Sequence, residues 1–379
     1  MELVYFYSTH EDAPARVGKS ILKELINHMD DLPFEDILLF TDDEENIDHL
    51  IYGYKFKSIT FSELIRSRNK YVVHIPISPN IFPNLKFLIN LLSILKKFPL
   101  ILHYHGDVRN EFYMRLKYEK HLDIMCIPSV IFIPFLLRYA TRIVTHSFIV
   151  QNILIDNYNI KKNVVIPNGL DDYWYQPLEQ IESYRLKNLI DKSKTCIFYH
   201  GRLPPEKGVD MLIKAVGKYV KFNSQTMLYI AGDAPYKKYL LELCTKLNIT
   251  ENVVFLGNVD RETIKFFLQN VDVAIYPSRF DAFNLAVMEA FACANCPVFF
   301  SSKAGIYNFV LQDGYQLNHF EPTTEKITDI LSLVSSGYNE NDIHIQKEFA
   351  NKYRWGKIIN CYMNLYDEVL TNANKLDKI

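Results

Sequence analysis

Twice along this chain, short runs of β-branched and aromatic residues alternate with longer segments of helical period, and that alternation admits few folds. Leu3–Ser8, Asp36–Phe40, Tyr71–Ile77, Leu100–His105, Arg142–Thr145 and Val164–Pro167 read as strands. Segments near Gly18–His28, Phe61–Arg66, Asn84–Lys96 and Ile131–Tyr139 read as the helices between them. Such alternation, sustained to about residue 170, predicts a parallel sheet covered on both faces. After a polar stretch, Tyr173–Ser193, the series starts again. Strands are expected at Thr195–Tyr199, Met227–Ala231, Val253–Leu256, Val271–Tyr276 and Val298–Phe300, with helices near Gly208–Tyr219, Lys237–Lys246, Arg261–Gln269 and Asn284–Cys293. The chain closes on a helical stripe, Ile358, Tyr362, Leu365, Tyr366 and Val369. The predicted class is α/β.

The densest chemistry lies between Pro277 and Pro297, where a buried strand leads through a loop into a helix. Two acids stand eight residues apart, Asp281 in the loop and Glu289 in the helix. Between them the backbone N–H groups of Phe283, Asn284 and Leu285 are expected in the first helical turn, where no carbonyl can take them. A helix start with free donors and a partial positive charge suits an anion. One segment therefore offers donors for a phosphate and two carboxylates for hydroxyl groups. The plainer reading makes Asp281 a helix cap and Glu289 a solvated carboxylate.

This segment resembles the signature of the retaining glycosyltransferases of family four, the glycosyl transferases group 1, which have the GT-B fold. The family pattern is Pro-Ser, a Glu-x7-Glu spacing around Gly-Phe-Gly-Leu, then Glu-Ala-x-Ala-x-Gly-x-Pro-Val. Here the spacing is kept, but Asp281 replaces the first Glu, Asn284 the second glycine and Ala294 the later one. A second match is complete: Gly201-Arg-Leu-Pro-Pro-Glu-Lys-Gly208 against Gly-Arg-Leu-x-x-Glu-Lys-Gly. A guanidinium binds phosphate bidentately and an ammonium adds a point charge, so Arg202 and Lys207 suit a diphosphate. Glu206 is expected to orient Lys207 or cap the following helix. Val164-Val-Ile-Pro-Asn-Gly-Leu-Asp171 resembles the family's Pro-Asn-Gly turn ahead of the interdomain linker.

The resemblance implies two Rossmann-like domains facing each other across a cleft. They would comprise an acceptor-binding domain over 1–172, a nucleotide-sugar-binding domain over 173–354, and a terminal helix over 355–379 that crosses back. It implies donor contacts from Gly18, Gly201, Arg202, Lys207, Gly257, Val259, Asp281, Phe283, Asn284, Leu285 and Glu289. Glu289 would hold the ribose and Asp281 the sugar. Asp281, Arg202 and Lys207 would carry the catalysis with His105, whose His-Gly pair ends a strand as in the family. Asp107 and Arg109 are candidates for the acceptor side. No Asp-x-Asp metal clamp occurs in the chain, so no metal and no cofactor is expected, the nucleotide diphosphate sugar being a co-substrate. The implied reaction is retaining transfer of a hexose-type sugar from a UDP- or GDP-sugar to a hydroxyl of a glycan or glycolipid.

Composition excludes other classes. A net charge of −2 gives no reason to expect a nucleic-acid partner. Charge is uneven, however: the first 50 residues carry 13 acids against 3 Lys/Arg, whereas residues 86–142 carry 9 Lys/Arg against 4 acids. Phe112–His121 mixes basic and aromatic residues, a pattern that can lie on an anionic membrane. Ile131–Tyr139 reads as a core helix instead. The six cysteines are scattered, and Cys293 and Cys296 stand in an apolar helix end without a second pair, which predicts packing. No signal peptide opens the chain and no apolar run reaches the ~20 residues of a spanning helix. The expected location is the cytoplasm, with peripheral contact at the inner membrane face.

Three other readings stand beside this one. Ala13-Pro-Ala-Arg-Val-Gly-Lys-Ser20 differs by one residue from the phosphate loop of NTPases, with Asp42 as the metal acid. A nucleotide-sugar epimerase on the same fold would also use the donor motifs. An inactive scaffold subunit would explain the changes at Asp281 and Asn284.

Overall fold

A computed structural model describes residues 1–8, 13–41, 54–68, 70–76, 85–119, 127–334, 337 and 340–376. The chain forms two compact units. The first comprises Met1–Phe112, Asp123–Gly169 and Trp355–Ile379, and the second Tyr113–Leu122 and Leu170–Arg354.

The chain up to Val165 runs β1 (Glu2–Tyr7), α1 (Ala13–Asn27), β2 (Ile37–Thr41), β3 (Lys57–Ser58), α2 (Phe61–Arg66), β4 (Tyr71–Ile75), α3 (Leu85–Lys96), β5 (Leu100–Tyr104), α4 (Val108–Glu119), α5 (Ile127–Tyr139), β6 (Arg142–Thr145), α6 (Phe148–Tyr158) and β7 (Asn163–Val165). Its strands form one parallel sheet, ordered β3-β2-β1-β4-β5-β6-β7. The strands read as unbroken apolar runs because both sheet faces are covered: Leu3, Val4, Tyr5 and Phe6 of β1 are all fully buried. Strand order reverses between β1 and β4, the place where doubly wound sheets open a crevice.

From Gln180 to Asn351 the order is α7 (Gln180–Leu186), β8 (Thr195–His200), α8 (Val209–Tyr219), β9 (Thr226–Ala231), α9 (Lys237–Lys246), β10 (Val253–Gly257), α10 (Arg261–Asn270), β11 (Val273–Tyr276), α11 (Leu285–Cys293), β12 (Val298–Ser301), α12 (Ile306–Gln312), β13 (His319–Phe320), α13 (Thr324–Val334) and α14 (Glu340–Asn351). The second sheet is parallel, ordered β10-β9-β8-β11-β12-β13, and reverses between β8 and β11. The last helix, α15 (Trp355–Leu376), is part of the first unit, where Tyr366 is hydrogen-bonded to His74 at 2.7 Å.

Several elements differ from the sequence expectation. α1 begins at Ala13, not at Gly18, so Ala13–Ser20 is helix from end to end. A phosphate loop must precede its helix, so this segment is not one; Asp42 lies outside the described residues. Gly18 is the sixth residue of α1, beyond the turn whose N–H groups lack partners. A Cβ there would come within 2.9 Å of Pro76, so Gly18 lets helix and sheet pack closely and is not an open backbone donor.

The part of Phe112–His121 that is described belongs to α4. α5 is not a plain core helix. Ile133, Leu136 and Leu137 are buried, but Ile131, Phe132, Phe135 and Tyr139 are 61%, 48%, 49% and 53% exposed. α6, α13 and α14 were not anticipated; α6 starts where the Ser147 hydroxyl accepts the Val150 N–H at 3.4 Å, an N-cap.

Candidate functional site

The reversal between β8 and β11 places two loops side by side in the second unit, and the expected donor residues stand on them. β8 ends at His200 and is followed by Gly201, Arg202 and the Glu206–Lys207–Gly208 turn. β11 ends at Tyr276 and is followed by Pro277–Asn284 and α11.

Backbone contacts lock the loops together. Gly208 has φ +70°, and a Cβ on it would lie 2.1 Å from the Pro277 carbonyl oxygen, so no other residue lets the turn dock there. The Glu206 carbonyl accepts the N–H groups of Arg279 at 2.7 Å and Phe280 at 3.3 Å. Glu206 is thus a backbone clamp, and its side chain does not cap a helix. Arg279 closes the join by donating to both oxygens of Asp210, at 2.7 and 2.8 Å, and to the Pro205 carbonyl at 2.7 Å. Burial pushes the Asp210 carboxyl up, but the Arg279 hydrogen bonds and nearby Lys214 outweigh it and hold the group below its ordinary range.

This clamp sets the geometry of the first acid. Asp281 and Lys207 form a hydrogen-bonded ion pair, with side chains only 10% and 15% exposed. The other Asp281 oxygen accepts the Phe283 N–H at 3.3 Å. Phe283 is therefore not an open phosphate donor: its N–H is taken, and its ring is buried against Phe309 at 5.9 Å. Asp281 is not the helix cap either. That place belongs to Asn284, with φ 78° and ψ 72° and its side-chain amide donating to the Ser278 hydroxyl at 3.3 Å. The family's glycine is thus replaced by the residue type that best tolerates a left-handed conformation. Helix α11 begins at Leu285, and the N–H groups of Asn284 and Leu285 stand at its open end.

The second acid is held by a relay. Glu289 lies 3.0 Å from His200 Nε2, and His200 Nδ1 lies 2.7 Å from the Tyr276 hydroxyl. Burial, with Glu289 adding, pushes the Tyr276 hydroxyl well above its ordinary range, so it stays a neutral donor. Tyr276 then donates to Nδ1 and the His200 Nε2–H donates to the carboxylate. His200 and Tyr276 escaped the sequence reading, as did Asp210 and Arg279.

Gly257 ends β10 with φ +71° at a register shift, and its carbonyl accepts the Gly232 N–H at 2.7 Å. Val259, two residues on, is half-buried in the loop before α10. Gly201 follows β8 with its N–H donating to the Ala231 carbonyl at 3.0 Å, so the β8, β9 and β10 loops form a backbone ladder. Arg202 is exposed, and its carbonyl accepts the Tyr199 hydroxyl at 2.8 Å.

Sites expected in the first unit are more engaged. Asp107 is buried, accepts the Arg109 N–H at 3.2 Å and faces the Tyr158 hydroxyl at 3.4 Å. The Arg109 guanidinium lies over the Tyr158 ring at 4.6 Å. Both serve the start of α4 and its packing. His105 is half-buried after β5, with Nε2 2.9 Å from the Pro76 carbonyl.

The chain is similar to several known proteins. Residues 180–347 match the family model Glycosyl transferases group 1. An uncharacterized glycosyltransferase of Methanocaldococcus jannaschii is 28% identical over 208 residues, 53% of this chain and 53% of that protein. The phosphatidylinositol N-acetylglucosaminyltransferase gpi3 subunit of Schizosaccharomyces pombe is 25% identical over 248 residues, 63% of this chain and 52% of the subunit. The chain thus spans about half the length of these relatives. Among solved structures, Anabaena HepE in complex with UDP-glucose matches with a TM-score of 0.72 and 16% identity over 100% of both chains. WaaG, a glycosyltransferase involved in lipopolysaccharide biosynthesis, matches with a TM-score of 0.63 and 13% identity over 97% of this chain and 99% of that one. The structural likeness establishes the GT-B fold, and the segment that resembles the glycosyl transferases group 1, residues 180–347, contains both the Arg202–Lys207 turn and the Asp281–Glu289 loop.

Proposed function

We propose that the protein is a retaining glycosyltransferase that moves a hexose-type sugar from a UDP- or GDP-sugar to a hydroxyl of a glycan or glycolipid, without a metal. The observation that carries this is the placing of Arg202, Lys207, Asp281, Glu289 and the start of α11 on the two loops that flank the β8/β11 reversal. As the bond between the anomeric carbon and the diphosphate oxygen breaks, negative charge collects on the diphosphate. Donors already aimed at that charge are usually the largest catalytic term. Arg202, Lys207 and the α11 start supply them. The acceptor oxygen bonds to the anomeric carbon from the face the diphosphate leaves, and its proton passes to the departing phosphate oxygen, which preserves the configuration. Glu289, held by His200, suits the ribose hydroxyls, and Asp281 the sugar. The complex of Anabaena HepE with UDP-glucose supports a nucleotide-sugar donor.

The test combines product and metal. Nucleoside diphosphate release and transfer to the acceptor should persist in EDTA, with the anomeric configuration of the donor kept in the product by NMR. Arg202→Ala and Lys207→Ala should each remove a charge-assisted hydrogen bond, about 1.5–3 kcal/mol of transition-state stabilisation. Complete loss of activity in EDTA with recovery in manganese, or inversion at the anomeric carbon, would overturn the mechanism.

For the acceptor, the outer face of α5 supports a lipid-linked or anionic substrate at a membrane surface. Ile131, Phe132, Phe135 and Tyr139 are exposed on one helix beside Arg138, and Leu95 on α3 is 72% exposed beside Lys96. Apolar side chains enter the headgroup boundary while basic neighbours add about 1 kcal/mol each on an anionic surface. The names of the fission yeast subunit and of WaaG point the same way. Among the described residues no helix is long and apolar enough to cross a membrane, so contact would be peripheral. The protein should float with anionic liposomes at low salt, and Phe132→Asp with Phe135→Asp should abolish flotation. A wild type that stays at the bottom of the gradient and prefers a free sugar acceptor would remove the membrane from this account.

A further inference from the structure

Four histidines meet in the core of the first unit. His74 is on β4, His103 on β5, His105 just after β5 and His146 just after β6, at the carboxyl ends of adjacent parallel strands. His74 and His103 are fully buried and His146 nearly so, while His105 is half-buried. Two ring nitrogens in this dry cluster, His103 Nδ1 and His146 Nε2, have no hydrogen-bond partner among the described residues. Buried polar atoms are rarely left so, and each such atom calls for an explanation.

The partners of the other ring nitrogens fix which atoms carry lone pairs. His146 Nδ1 lies 2.9 Å from the Ile166 carbonyl, which can only accept, so Nδ1 holds the proton and Nε2 the lone pair. His105 Nε2 lies 2.9 Å from the Pro76 carbonyl, so by the same rule its lone pair is on Nδ1. His103 Nε2 meets His74 Nε2 at 2.9 Å, and His74 Nδ1 meets the Tyr366 hydroxyl at 2.7 Å. If His103 donates to His74 and His74 donates to Tyr366, the lone pair of His103 is on Nδ1. Ligand nitrogens of His103, His105 and His146 lie within 4.8 Å of one another.

We propose that His103, His105 and His146, all in the first unit, form a binding site for one late first-row divalent transition metal such as zinc. Three imidazoles with an open fourth position is an established donor set for zinc. The supporting layer is present too, since each ligand's other N–H would go to a carbonyl or to the His74–Tyr366 relay, as metal-bound histidines require. In a tetrahedral site with Zn–N near 2.0 Å the nitrogens are roughly 3.3 Å apart, so closure takes ring movements on the order of an ångström. Burial holds His74 down to about 3, and burial first, then neighbouring histidines, keeps His103 and His146 well below the ordinary imidazole range. His74, His103 and His146 therefore stay neutral and do not repel a cation. Imidazole-only ligation disfavours magnesium and calcium, which demand oxygen. His105 is the half-buried member of the three, and the fourth position of such a zinc site is commonly taken by water.

The test does not depend on the glycosyl-transfer reading, because its readout is the metal. Full-length protein is stripped with EDTA, dialysed and titrated with Co²⁺. The expected result is one Co²⁺ per chain with the visible absorption of a four-coordinate site, displaced by Zn²⁺ and unaffected by excess Mg²⁺ or Ca²⁺. X-ray absorption of the zinc-loaded wild type should show three imidazole nitrogens at about 2.0 Å. His146→Gln should lose the site, and Tyr366→Phe should weaken it roughly tenfold through the relay. UDP binding should be unchanged in both. The proposal is overturned if Co²⁺ keeps its six-coordinate aqueous spectrum with wild-type protein, which would mean that the cluster takes an ordered water only. It is equally overturned if folded His146→Gln binds Co²⁺ as tightly as wild type, or if the absorption data lack the three imidazoles.

Discussion

Among single residues, Asp281 is the one that joins the two loops' charges. Its carboxylate is one methylene shorter than a glutamate and is drawn to Lys207 and to the Phe283 N–H. In a partly desolvated place an ion pair costs about as much as it returns unless further hydrogen bonds complete it, and breaking it by removing one partner is the expensive change. The pair therefore positions Lys207 as well as offering a carboxylate to the sugar. Asp281→Ala should lower kcat by about ten- to a hundredfold, the worth of one charge-assisted hydrogen bond, while nucleoside diphosphate affinity changes by only a few-fold. Asp281→Glu should not improve the enzyme. A near-wild-type kcat for Asp281→Ala, measured on the same donor, would reduce the carboxylate to a loop support. Arg202, Lys207, Asp281 and Glu289 were legible because they sit in local motifs. Asn284 was visible as a departure from glycine, and its left-handed backbone shows why asparagine stands there. His200, Tyr276, Asp210 and Arg279 were not legible: His200 meets Glu289 across 89 positions and Arg279 meets Asp210 across 69, and no local pattern reports such a pairing.

At the scale of elements, strands were read well because a parallel strand buried on both faces is a short, unbroken apolar run. Helices were harder. α6 is an apolar run, Phe-Ile-Val-Gln-Asn-Ile-Leu-Ile, whose amphipathic period is weak, and α1 was expected to open only at Gly18 because the residues around Pro14 read as a loop. Proline is tolerated in a first turn, and here it is the second residue of the helix. The turns between elements carry a sharper test. Gly208 and Gly257 both have positive φ, +70° and +71°, but a Cβ on Gly208 meets the Pro277 carbonyl, whereas one on Gly257 meets nothing within 4 Å. Alanine at either position bears the backbone strain, and only Gly208→Ala must also push two loops apart. Gly208→Ala should therefore destabilise the protein by at least about 1 kcal/mol more than Gly257→Ala, read from denaturant midpoints at constant m-value. Equal losses would show that the turn yields without cost and that it does not fix the Lys207 loop.

In the whole molecule, the α/β class and the first parallel sheet followed from strand–helix alternation, and the second sheet from the family resemblance, two of whose motifs lie within residues 180–347. The expected divisions at 172/173 and 354/355 compare with units that part at Gly169/Leu170 and Arg354/Trp355, and Tyr113–Leu122, expected in the first domain, is grouped with the second unit. The first unit's chemistry was less legible. Its histidine cluster joins four separate elements, and Asp107 and Arg109 looked available only because their Tyr158 partner was out of view. Cations of the second unit are proposed to bind a nucleotide diphosphate sugar without help from a metal. The most direct measurement is thermal stability in EDTA against a panel of UDP-, GDP- and ADP-sugars, for wild type and for Arg202→Ala with Lys207→Ala combined. One member of the panel, at 100 times its Kd, should stabilise the wild type by about 2.7 kcal/mol and leave the double variant almost unshifted. No shift with any nucleotide sugar, or an equal shift in the double variant, would contradict the account.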